Sequence, residues 1–167
     1  MIVVLMGVAG CGKTTVGEML ASELGWRYFD ADDYHPTANV EKMRAGIPLC
    51  DADRWPWLDS LNALLRGRNS EGESAVLGCS ALKQAYRERL ARGLPDLHWV
   101  HLTGSFGLIL SRLQARKGHY MPASLLQSQF DALEAPTEAL RVDISDPPQM
   151  LVSRIVAHLP VERAKKL

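Results

Sequence analysis

Short apolar runs alternate along this chain with longer stretches in which apolar residues recur every three or four positions. The runs predict five β-strands, at residues 2–6, 27–30, 74–79, 98–102 and 139–144. The stretches between them predict amphipathic helices, with stripes formed by Val16, Met19, Leu20 and Leu24, by Phe106, Ile109, Leu110 and Leu113, and by Leu151, Ile155 and Leu159. This alternation predicts a three-layer α/β/α fold with a mostly parallel, five-stranded sheet. Ligands are then expected at the carboxyl ends of the strands.

Residues 66–73, which include two glycines, predict a surface loop.

Composition favours one domain over residues 1–167, because 47% of the 167 residues are hydrophobic and 23% are charged. Nineteen Lys and Arg balance nineteen Asp and Glu, which disfavours a general nucleic-acid binder. No apolar run is long enough for a signal peptide or a membrane span. The three cysteines, Cys11, Cys50 and Cys79, lack metal-ligand spacing, which favours structural roles and a reducing cytoplasm.

The clearest chemical motif lies between the first predicted strand and the first predicted helix. Residues 7–14 read Gly-Val-Ala-Gly-Cys-Gly-Lys-Thr, which fits GxxxxGK[ST] in full. Such a loop turns its N–H groups toward phosphate oxygens, while Lys13 reaches the β and γ phosphates and Thr14 ligates Mg²⁺. The motif predicts ATP or GTP binding. The chain contains no Asn-Lys-x-Asp or Asp-x-x-Gly motif, which disfavours a regulatory GTPase.

Acidic residues follow the second predicted strand, in the sequence Phe-Asp-Ala-Asp-Asp over residues 29–33. Strand alternation predicts that Asp30 and Asp32 point to the same side. One carboxylate would then hold the Mg²⁺ shell, and the other would accept a hydrogen bond from the hydroxyl that receives the phosphoryl group. The alternative is a polar loop in which these residues cap a helix.

Three further segments carry candidate binding residues. Arg54 lies among acids and tryptophans, which favours either recognition of a substrate carboxylate or phosphate, or a structural ion pair. After the third strand, Ser80 is expected to cap the next helix and to lie at the ligand-binding edge of the sheet. Lys83 is expected one turn inside that helix, where it faces either the pocket or solvent.

Arg112 and Arg116, four residues apart with no acid between residues 112 and 122, share a face of a predicted helix. They favour a lid that closes over the transferring phosphate, or else a solvated helix end. His119 is expected either to pack or cap, or to take part in catalysis.

Taken in order, these blocks resemble the P-loop gluconate kinases, which are similar in fold to shikimate kinase and the nucleoside monophosphate kinases. The resemblance covers residues 2–143 through MGVAGCGKTT, DADDYHP, PLCDADRWPWL, CSALKQAYR, SRLQARKGHYM and the Ser128-Gln129-Phe130 block with Leu133-Glu134-Ala135-Pro136. Because P-loops occur in many proteins, the discriminating blocks are DADDYHP, PLCDADRWPWL and CSALK, in this order and spacing.

The resemblance implies a P-loop NTPase fold with an acceptor-binding segment at about 31–66 and a lid at about 112–130. It implies transfer of the ATP γ-phosphoryl group to the 6-hydroxyl of D-gluconate, with Mg²⁺, in a cytoplasmic homodimer without nucleic-acid or membrane partners. The implied ATP contacts are Gly7, Val8, Ala9, Gly10, Cys11, Gly12, Lys13, Thr14, Thr15, Arg112 and Arg116. The implied metal ligands are Thr14 and Asp30, the implied gluconate contacts are Asp32, His35, Lys42, Arg54 and Lys83, and the implied catalytic residues are Lys13, Asp32 and Arg116. Two other hypotheses remain open: another small-metabolite or nucleoside monophosphate kinase, and a non-catalytic nucleotide-sensing module.

Overall fold

Five parallel strands form a sheet at the centre of the protein, in a computed structural model that describes residues 1–116 and 122–160. The strands are β1 (Ile2–Met6), β2 (Arg27–Asp30), β3 (Ala75–Gly78), β4 (Leu97–Thr103) and β5 (Leu140–Asp143). Their spatial order is β2-β3-β1-β4-β5, and every neighbouring pair is parallel. All five predicted strands are confirmed, with shifts of one residue at some ends.

Helices connect the strands throughout the described residues. They are α1 (Lys13–Leu24), α2 (Thr37–Arg44), α3 (Asp51–Ser70), α4 (Gln84–Ala91), α5 (Phe106–Ala115), α6 (Ala123–Ala132) and α7 (Pro148–His158), with a 3₁₀ turn over Ala31–Tyr34. Across the two described ranges, no helix has both the length and the apolar character needed to cross a bilayer.

The loop predicted at residues 66–73 is wrong in part, because α3 continues to Ser70. Leu61 and Leu65 are fully buried on this helix, so packing against the sheet holds the following turn in place. The helix ends only where Gly72 adopts a φ of +74°. Tertiary packing thus outweighs the weak helix propensity of the Gly and Asn residues in this stretch.

Alternate residues of β1 enter two separate apolar cores, one on each face of the sheet. Val3 and Leu5 pack with residues of α1, α5, α6 and α7, whereas Ile2, Val4 and Met6 pack with residues of α3 and α4. Because β1 lies at the centre and is buried on both faces, it is apolar at every position. This arrangement confirms the three-layer α/β/α prediction and places the glycine-rich turn after β1 at the middle of the sheet edge.

Tyr28 of β2 fixes the packing of α1 and β3 against this edge. Its ring lies against Gly17 of α1, and its hydroxyl lies against Gly78 of β3. A Cβ atom at either glycine would collide with the tyrosine. The close approach of these three residues therefore depends on two positions that have no side chain.

Candidate active site

The glycine-rich turn closes around the side chain of Lys13, the first residue of α1. Its Nζ donates to the carbonyl oxygens of Gly7 at 3.0 Å and Val8 at 3.1 Å. Gly12 precedes the helix with a φ of +96°, a conformation that favours glycine. An ammonium group has three N–H donors. With two of them bound to the loop, the Lys13 charge is held over the N-terminus of α1, where phosphate binding is favoured.

The close packing of Gly10 connects this loop to α5. Gly10 has a φ of +79°, and a Cβ atom there would lie 2.6 Å from Cγ of Leu113. The loop backbone therefore rests directly on α5, which any larger residue at position 10 would push away.

Thr14, Tyr28 and Asp30 bring oxygen atoms together beside the loop. Oδ2 of Asp30 accepts hydrogen bonds from Thr14 Oγ1 at 3.2 Å and from the Tyr28 hydroxyl at 3.4 Å. Burial raises the pKa of the Tyr28 hydroxyl, so that it remains a donor. A hydroxyl next to a carboxylate supplies the hard oxygen ligands that Mg²⁺ takes in nucleotide sites, where water and phosphate complete its shell.

Asp32 is close to Asp30, but not because of strand alternation. Strand β2 ends at Asp30, and Asp32 lies in the 3₁₀ turn, where its backbone N–H donates to Asp30 Oδ1 at 3.0 Å. The predicted alternation is therefore wrong, since the chain stops being extended as soon as Asp30 caps the turn. Asp30 thus has the capping role that was considered as an alternative, in addition to its contact with Thr14.

The carboxyl of Asp32 has an unusual electrostatic environment. Its side chain is 87% exposed, and its backbone N–H is bound to the carboxylate of Asp30. Desolvation by neighbouring protein atoms, together with the charge of Asp30, raises the pKa of Asp32 above its ordinary value. Asp32 is therefore a better proton acceptor than an ordinary surface aspartate.

His35 is fixed beside Asp32 by aromatic stacking. Its ring lies parallel to that of Trp57, with 4.2 Å between centroids, and its Nε2 is 3.8 Å from Asp32 Oδ1. Asn39 lies 3.3 Å from the His35 Nδ1 atom. Burial lowers the pKa of His35, which keeps the ring neutral near pH 7.

A cavity of about 630 Å³ opens between the start of α3 and the segment after β3. Its lining residues are Leu49, Cys50, Asp51, Ala52, Arg54, Ser80, Leu82, Lys83, Tyr86 and Ala132. Two of the predicted gluconate contacts, Arg54 and Lys83, are among them, which brings together blocks that are far apart in the sequence. Ser80, expected at the ligand-binding edge, also lines the cavity. The other predicted contacts, Asp32, His35 and Lys42, are not among its lining residues in the described part of the chain.

Arg54 is incompletely satisfied within the cavity wall. Its guanidinium carbon is 5.6 Å from the centroid of the Tyr86 ring, and one terminal nitrogen donates to the Leu49 carbonyl at 3.4 Å. Its Nε is buried and has no hydrogen-bond partner among the described residues. A half-buried guanidinium that is so incompletely hydrogen-bonded is suited to a carboxylate or phosphate ligand.

Asp51 and Tyr86 complete this wall, and sequence analysis assigned neither of them a binding role. Lys83 Nζ donates to Asp51 Oδ1 at 3.0 Å, and the Tyr86 hydroxyl donates to the same oxygen. These hydrogen bonds lower the pKa of Asp51, with that from Tyr86 having the larger effect. The cavity therefore presents a carboxylate, an ammonium and a phenol within hydrogen-bonding reach of one another. Asp51 stands three residues before Arg54, and this spacing was the only local signal for its role.

The segment after β3 corrects two predictions, because α4 begins at Gln84. Lys83 is the N-cap residue rather than one turn inside the helix, and Ser80 does not cap it. Instead, the Ser80 carbonyl accepts a hydrogen bond from the Gly7 N–H at 3.3 Å. Between these residues Ala81 adopts a φ of +40°, an uncommon value for a residue with a side chain.

Arg87 stabilises the strained segment around Ala81 through hydrogen bonds to backbone carbonyls. Its buried guanidinium donates to the carbonyls of Ala81 at 2.9 Å, Leu82 at 3.0 Å and Glu134 at 2.8 Å. The Glu134 N–H in turn donates to the Leu82 carbonyl at 2.9 Å. These bonds fix the backbone that separates the phosphate-binding loop from the cavity.

Lys42 is paired with Asp53 at the start of α3, with 2.7 Å between Nζ and Oδ1. Asp53 also accepts from the Cys50 N–H and thiol, which closes a capping box. The Lys42 hydrogen bond, followed by those from Cys50, lowers the pKa of Asp53 to about 2. The ordered start of α3 in turn places Arg54 in the cavity wall.

The two arginines predicted to share a helical face lie in different environments. Arg112 donates to the Ile144 carbonyl at 2.7 Å, just beyond β5. Helix α5 ends at Ala115, and Arg116 is exposed in an extended conformation as its C-cap. The shared helical face is therefore wrong, since the helix stops before Arg116. The predicted residue His119 lies outside the described residues.

Gln129 of α6 reaches the phosphate-binding loop, and sequence analysis gave this residue no role of its own. Its Oε1 accepts a hydrogen bond from the Ala9 N–H at 2.7 Å. The two residues are 120 positions apart in the chain. Only the Ser-Gln-Phe block in the family resemblance pointed to this position.

Comparison with known proteins gives concordant results. Residues 2–140 match the AAA domain family. Gluconokinase from Gluconobacter oxydans (strain 621H) is 46% identical over 162 residues, which cover 95% of this chain and 91% of that protein. A sugar kinase from Janibacter sp. HTCC2649 superimposes with a TM-score of 0.86 at 45% identity, over 93% of this chain and 92% of the other. Gluconokinase from Sinorhizobium meliloti 1021 has a TM-score of 0.84 at 42% identity, over 93% of this chain and 89% of the other.

Proposed function

The chain belongs to the gluconokinase family, and from this premise we propose that it transfers the γ-phosphoryl group of ATP to the 6-hydroxyl of D-gluconate. The products are 6-phospho-D-gluconate and ADP. Among the contacts described above, Arg54 carries the acceptor assignment, because it lines the cavity while its hydrogen bonding within the described residues is incomplete. A sugar acid provides both groups that such a cavity requires, a carboxylate for the arginine and hydroxyls for its neighbours.

The acceptor site is proposed to divide recognition between charge and hydrogen bonding. Arg54 binds the gluconate carboxylate through two parallel N–H donors. The gluconate hydroxyls form hydrogen bonds with Asp51, Lys83 and Tyr86, since these side chains supply both donors and acceptors. The cavity volume of about 630 Å³ lies within the range typical of small-molecule sites.

His35 and Lys42 are proposed to act indirectly, although the resemblance implied gluconate contacts for them. His35 is stacked on Trp57 and lies beside Asp32, so that it orients the Asp32 carboxylate. Lys42 is bonded to Asp53 and stabilises the N-terminus of α3. Both residues then affect the reaction by holding groups that do touch the substrate.

On the donor side, the N–H groups of Gly7, Ala9 and Cys11 are already bound within the protein. The remaining backbone N–H groups of the loop, with Thr15 in the first turn of α1, are proposed to bind the triphosphate. Lys13 neutralises charge on the β and γ phosphates during transfer. Arg112 and Arg116 are proposed to contact ATP from the segment over residues 112–130. Positive charge over the transferring group stabilises a transition state in which negative charge is spread over several oxygens.

Mg²⁺ is proposed to bind beside Thr14 and Asp30. Their oxygens are 3.2 Å apart, and both are hard ligands of the type that Mg²⁺ accepts. When bound, the ion neutralises charge on the β and γ phosphates. Chelation with EDTA is expected to remove activity, and excess Mg²⁺ to restore it.

Asp32 is proposed to orient and deprotonate the 6-hydroxyl of the acceptor. Its raised pKa brings it closer to the value required of a base at neutral pH. Because phosphoryl transfer passes through a loose transition state, orientation of the hydroxyl contributes more than complete removal of its proton.

The cellular setting is also a proposal. The family resemblance favours a homodimer, and three cysteines without disulfides favour a reducing cytoplasm. Sedimentation of the purified protein would test the dimer, and localisation of a tagged chain would test the compartment.

ADP release coupled to an indicator enzyme tests the activity with ATP, Mg²⁺ and a panel of gluconate, other sugar acids, shikimate and AMP. Turnover is expected with gluconate, and ³¹P NMR is expected to place the phosphate on the 6-oxygen. Turnover with AMP alone would favour a nucleoside monophosphate kinase instead. A rate no higher than background ATP hydrolysis with every acceptor would favour a nucleotide sensor.

Arg54→Met tests the acceptor site directly. Loss of a charge-assisted contact is expected to raise KM for gluconate about thirtyfold and to leave KM for ATP unchanged. Arg66→Met is the matched control, because Arg66 is exposed on the same helix and does not line the cavity. An unchanged KM for gluconate in the Arg54 variant would contradict the assignment.

A further inference from the structure

The peptide group between Val8 and Ala9 is held from two opposite sides. On one side, the Val8 carbonyl oxygen accepts hydrogen bonds from Lys13 Nζ at 3.1 Å and from the Cys11 N–H at 3.3 Å. On the other side, the Ala9 N–H donates to Gln129 Oε1 at 2.7 Å. In a trans peptide the C=O and N–H bonds point in opposite directions. The contact with Gln129 therefore sets the direction of the oxygen that receives Lys13.

Helix α6 is well anchored for this role. Leu126, one turn before Gln129, is fully buried. Phe130 packs edge to face against Phe106 of α5, with 5.6 Å between ring centroids. Since both neighbours of Gln129 on the helix are fixed by packing, its amide is presented to the loop with little loss of side-chain entropy.

We propose that Gln129 is a positioning residue for the phosphate-binding loop, which keeps the Val8 carbonyl turned toward Lys13 and so prepares the ammonium for ATP. This inference rests on the proposed binding of ATP at the same loop. It assigns Gln129 no contact with the substrate, since its amide oxygen is already bound to the loop backbone.

The hydrogen-bond donors of Lys13 explain why loss of the Gln129 contact is expected to weaken ATP binding. Two of its three N–H donors are bound to Gly7 and Val8, and the remaining contact is with Cys11 Sγ at 3.9 Å. Sulfur is a weak acceptor, so one donor remains available for a phosphate oxygen. The ammonium is thus held in a geometry that suits ATP. Without Gln129 the peptide loses its hydrogen bond on the N–H side and is held less firmly, so part of the binding energy is spent on ordering it again.

The experiment compares Gln129→Met with Gln127→Met. Methionine keeps the length of the side chain but cannot accept this hydrogen bond well. Gln127 is exposed on the same helix and donates to Asp131 at 2.8 Å, away from the loop, which makes it a matched control. Loss of one neutral hydrogen bond is expected to raise Kd and KM for ATP about three- to tenfold in the Gln129 variant. KM for gluconate is expected to be unchanged, and the control to behave like the wild type.

Exchange of the Ala9 amide hydrogen, followed by NMR in the full chain without nucleotide, separates positioning from general stability. Slow exchange is expected in the wild type and in Gln129→Glu, which retains an acceptor oxygen, and fast exchange in Gln129→Met. If Gln129→Met fails to fold, the glutamate variant still tests the contact. Exchange in Gln129→Glu that is fast relative to wild type would then overturn the inference.

Calorimetric titration with ATP distinguishes this inference from the proposed function, because it requires no acceptor. Wild-type protein that binds ATP but does not phosphorylate gluconate would refute the proposed reaction and leave the role of Gln129 intact. Kd for ATP within twofold of wild type in Gln129→Met would overturn the role of Gln129 alone.

Discussion

Arg87→Met is expected to loosen the strained backbone between the two binding sites. The substitution removes three hydrogen bonds to the carbonyls of Ala81, Leu82 and Glu134, all at 3.0 Å or less. The aliphatic part of the side chain is retained, so packing changes little. Ala81, with its φ of +40°, then loses the contact that holds it in an unfavourable conformation.

The size of the effect follows from two opposing contributions. Each hydrogen bond from a charged donor contributes about 1.5–3 kcal/mol. Burial of a guanidinium costs several kcal/mol, which the variant recovers. The net loss in the free energy of unfolding is therefore about 3 kcal/mol, since three carbonyls lose their donor at once. For a chain of this length the loss corresponds to a decrease of about 6–12 °C in Tm.

Urea unfolding followed by circular dichroism measures this loss, with Arg89→Met as the control. Arg89 is on the same helix and makes two hydrogen bonds to Asp59, at 2.6 and 2.7 Å, but at the exposed surface. Its removal is expected to cost little, because ion pairs at the surface contribute little to stability. KM for gluconate is expected to rise in the Arg87 variant only. A loss in Arg87→Met no larger than that in Arg89→Met would refute the reasoning.

Asp32→Asn is expected to lower kcat about 10²- to 10³-fold with little change in KM for ATP. Because the pKa of Asp32 is raised in the folded state, its ionised form destabilises the wild-type protein above that pKa. The Tm of Asp32→Asn at pH 7 should therefore be higher than that of the wild type. A normal kcat or a lower Tm in this variant would contradict the reasoning. Asp53 has a lowered pKa, so its stabilising effect is present above the ordinary value of 3.8 and is lost as pH falls to about 2. The free energy of unfolding measured between these pH values should depend less on pH in Asp53→Asn than in the wild type. An unchanged pH dependence would exclude the Lys42–Asp53 pair as its cause. Arg116→Ala is expected to lower kcat or the affinity for ATP; a selective increase in KM for gluconate would instead place Arg116 at the acceptor.

Local patterns were sufficient to predict the strands and the phosphate-binding loop. The apolar run at residues 2–6 followed by GxxxxGK[ST] defines both the central strand and the turn after it, because each feature depends on neighbouring residues only. The neighbouring residues made Arg54 and Lys83 candidates, and the family resemblance favoured a binding role for both. The structure places them in one cavity. Spacing along the chain could not have shown that these residues meet.

Features that depend on distant contacts were not predictable in this way. The conformation of Ala81 depends on Arg87 from the next helix. That helix begins at Gln84, too far along the chain for Ser80 to cap it. The Gln129 contact joins residues 120 positions apart. Asp32 was expected on an extended strand, but the side chain of Asp30 caps a 3₁₀ turn at that point. In each case a single tertiary or capping contact outweighed the periodicity.

The packing of Tyr28 against Gly17 and Gly78 has a consequence for engineering the protein. A side chain at either glycine requires a smaller residue at position 28, and a smaller residue at position 28 alone leaves a void beside the sheet. In a chimera, the residues at positions 17, 28 and 78 should therefore all come from the same parent chain. A chimera of two related chains that crosses over between residues 17 and 28, or between 28 and 78, separates members of this block. Crossovers outside residues 17–78 keep it intact and are expected to yield a higher proportion of folded chimeras.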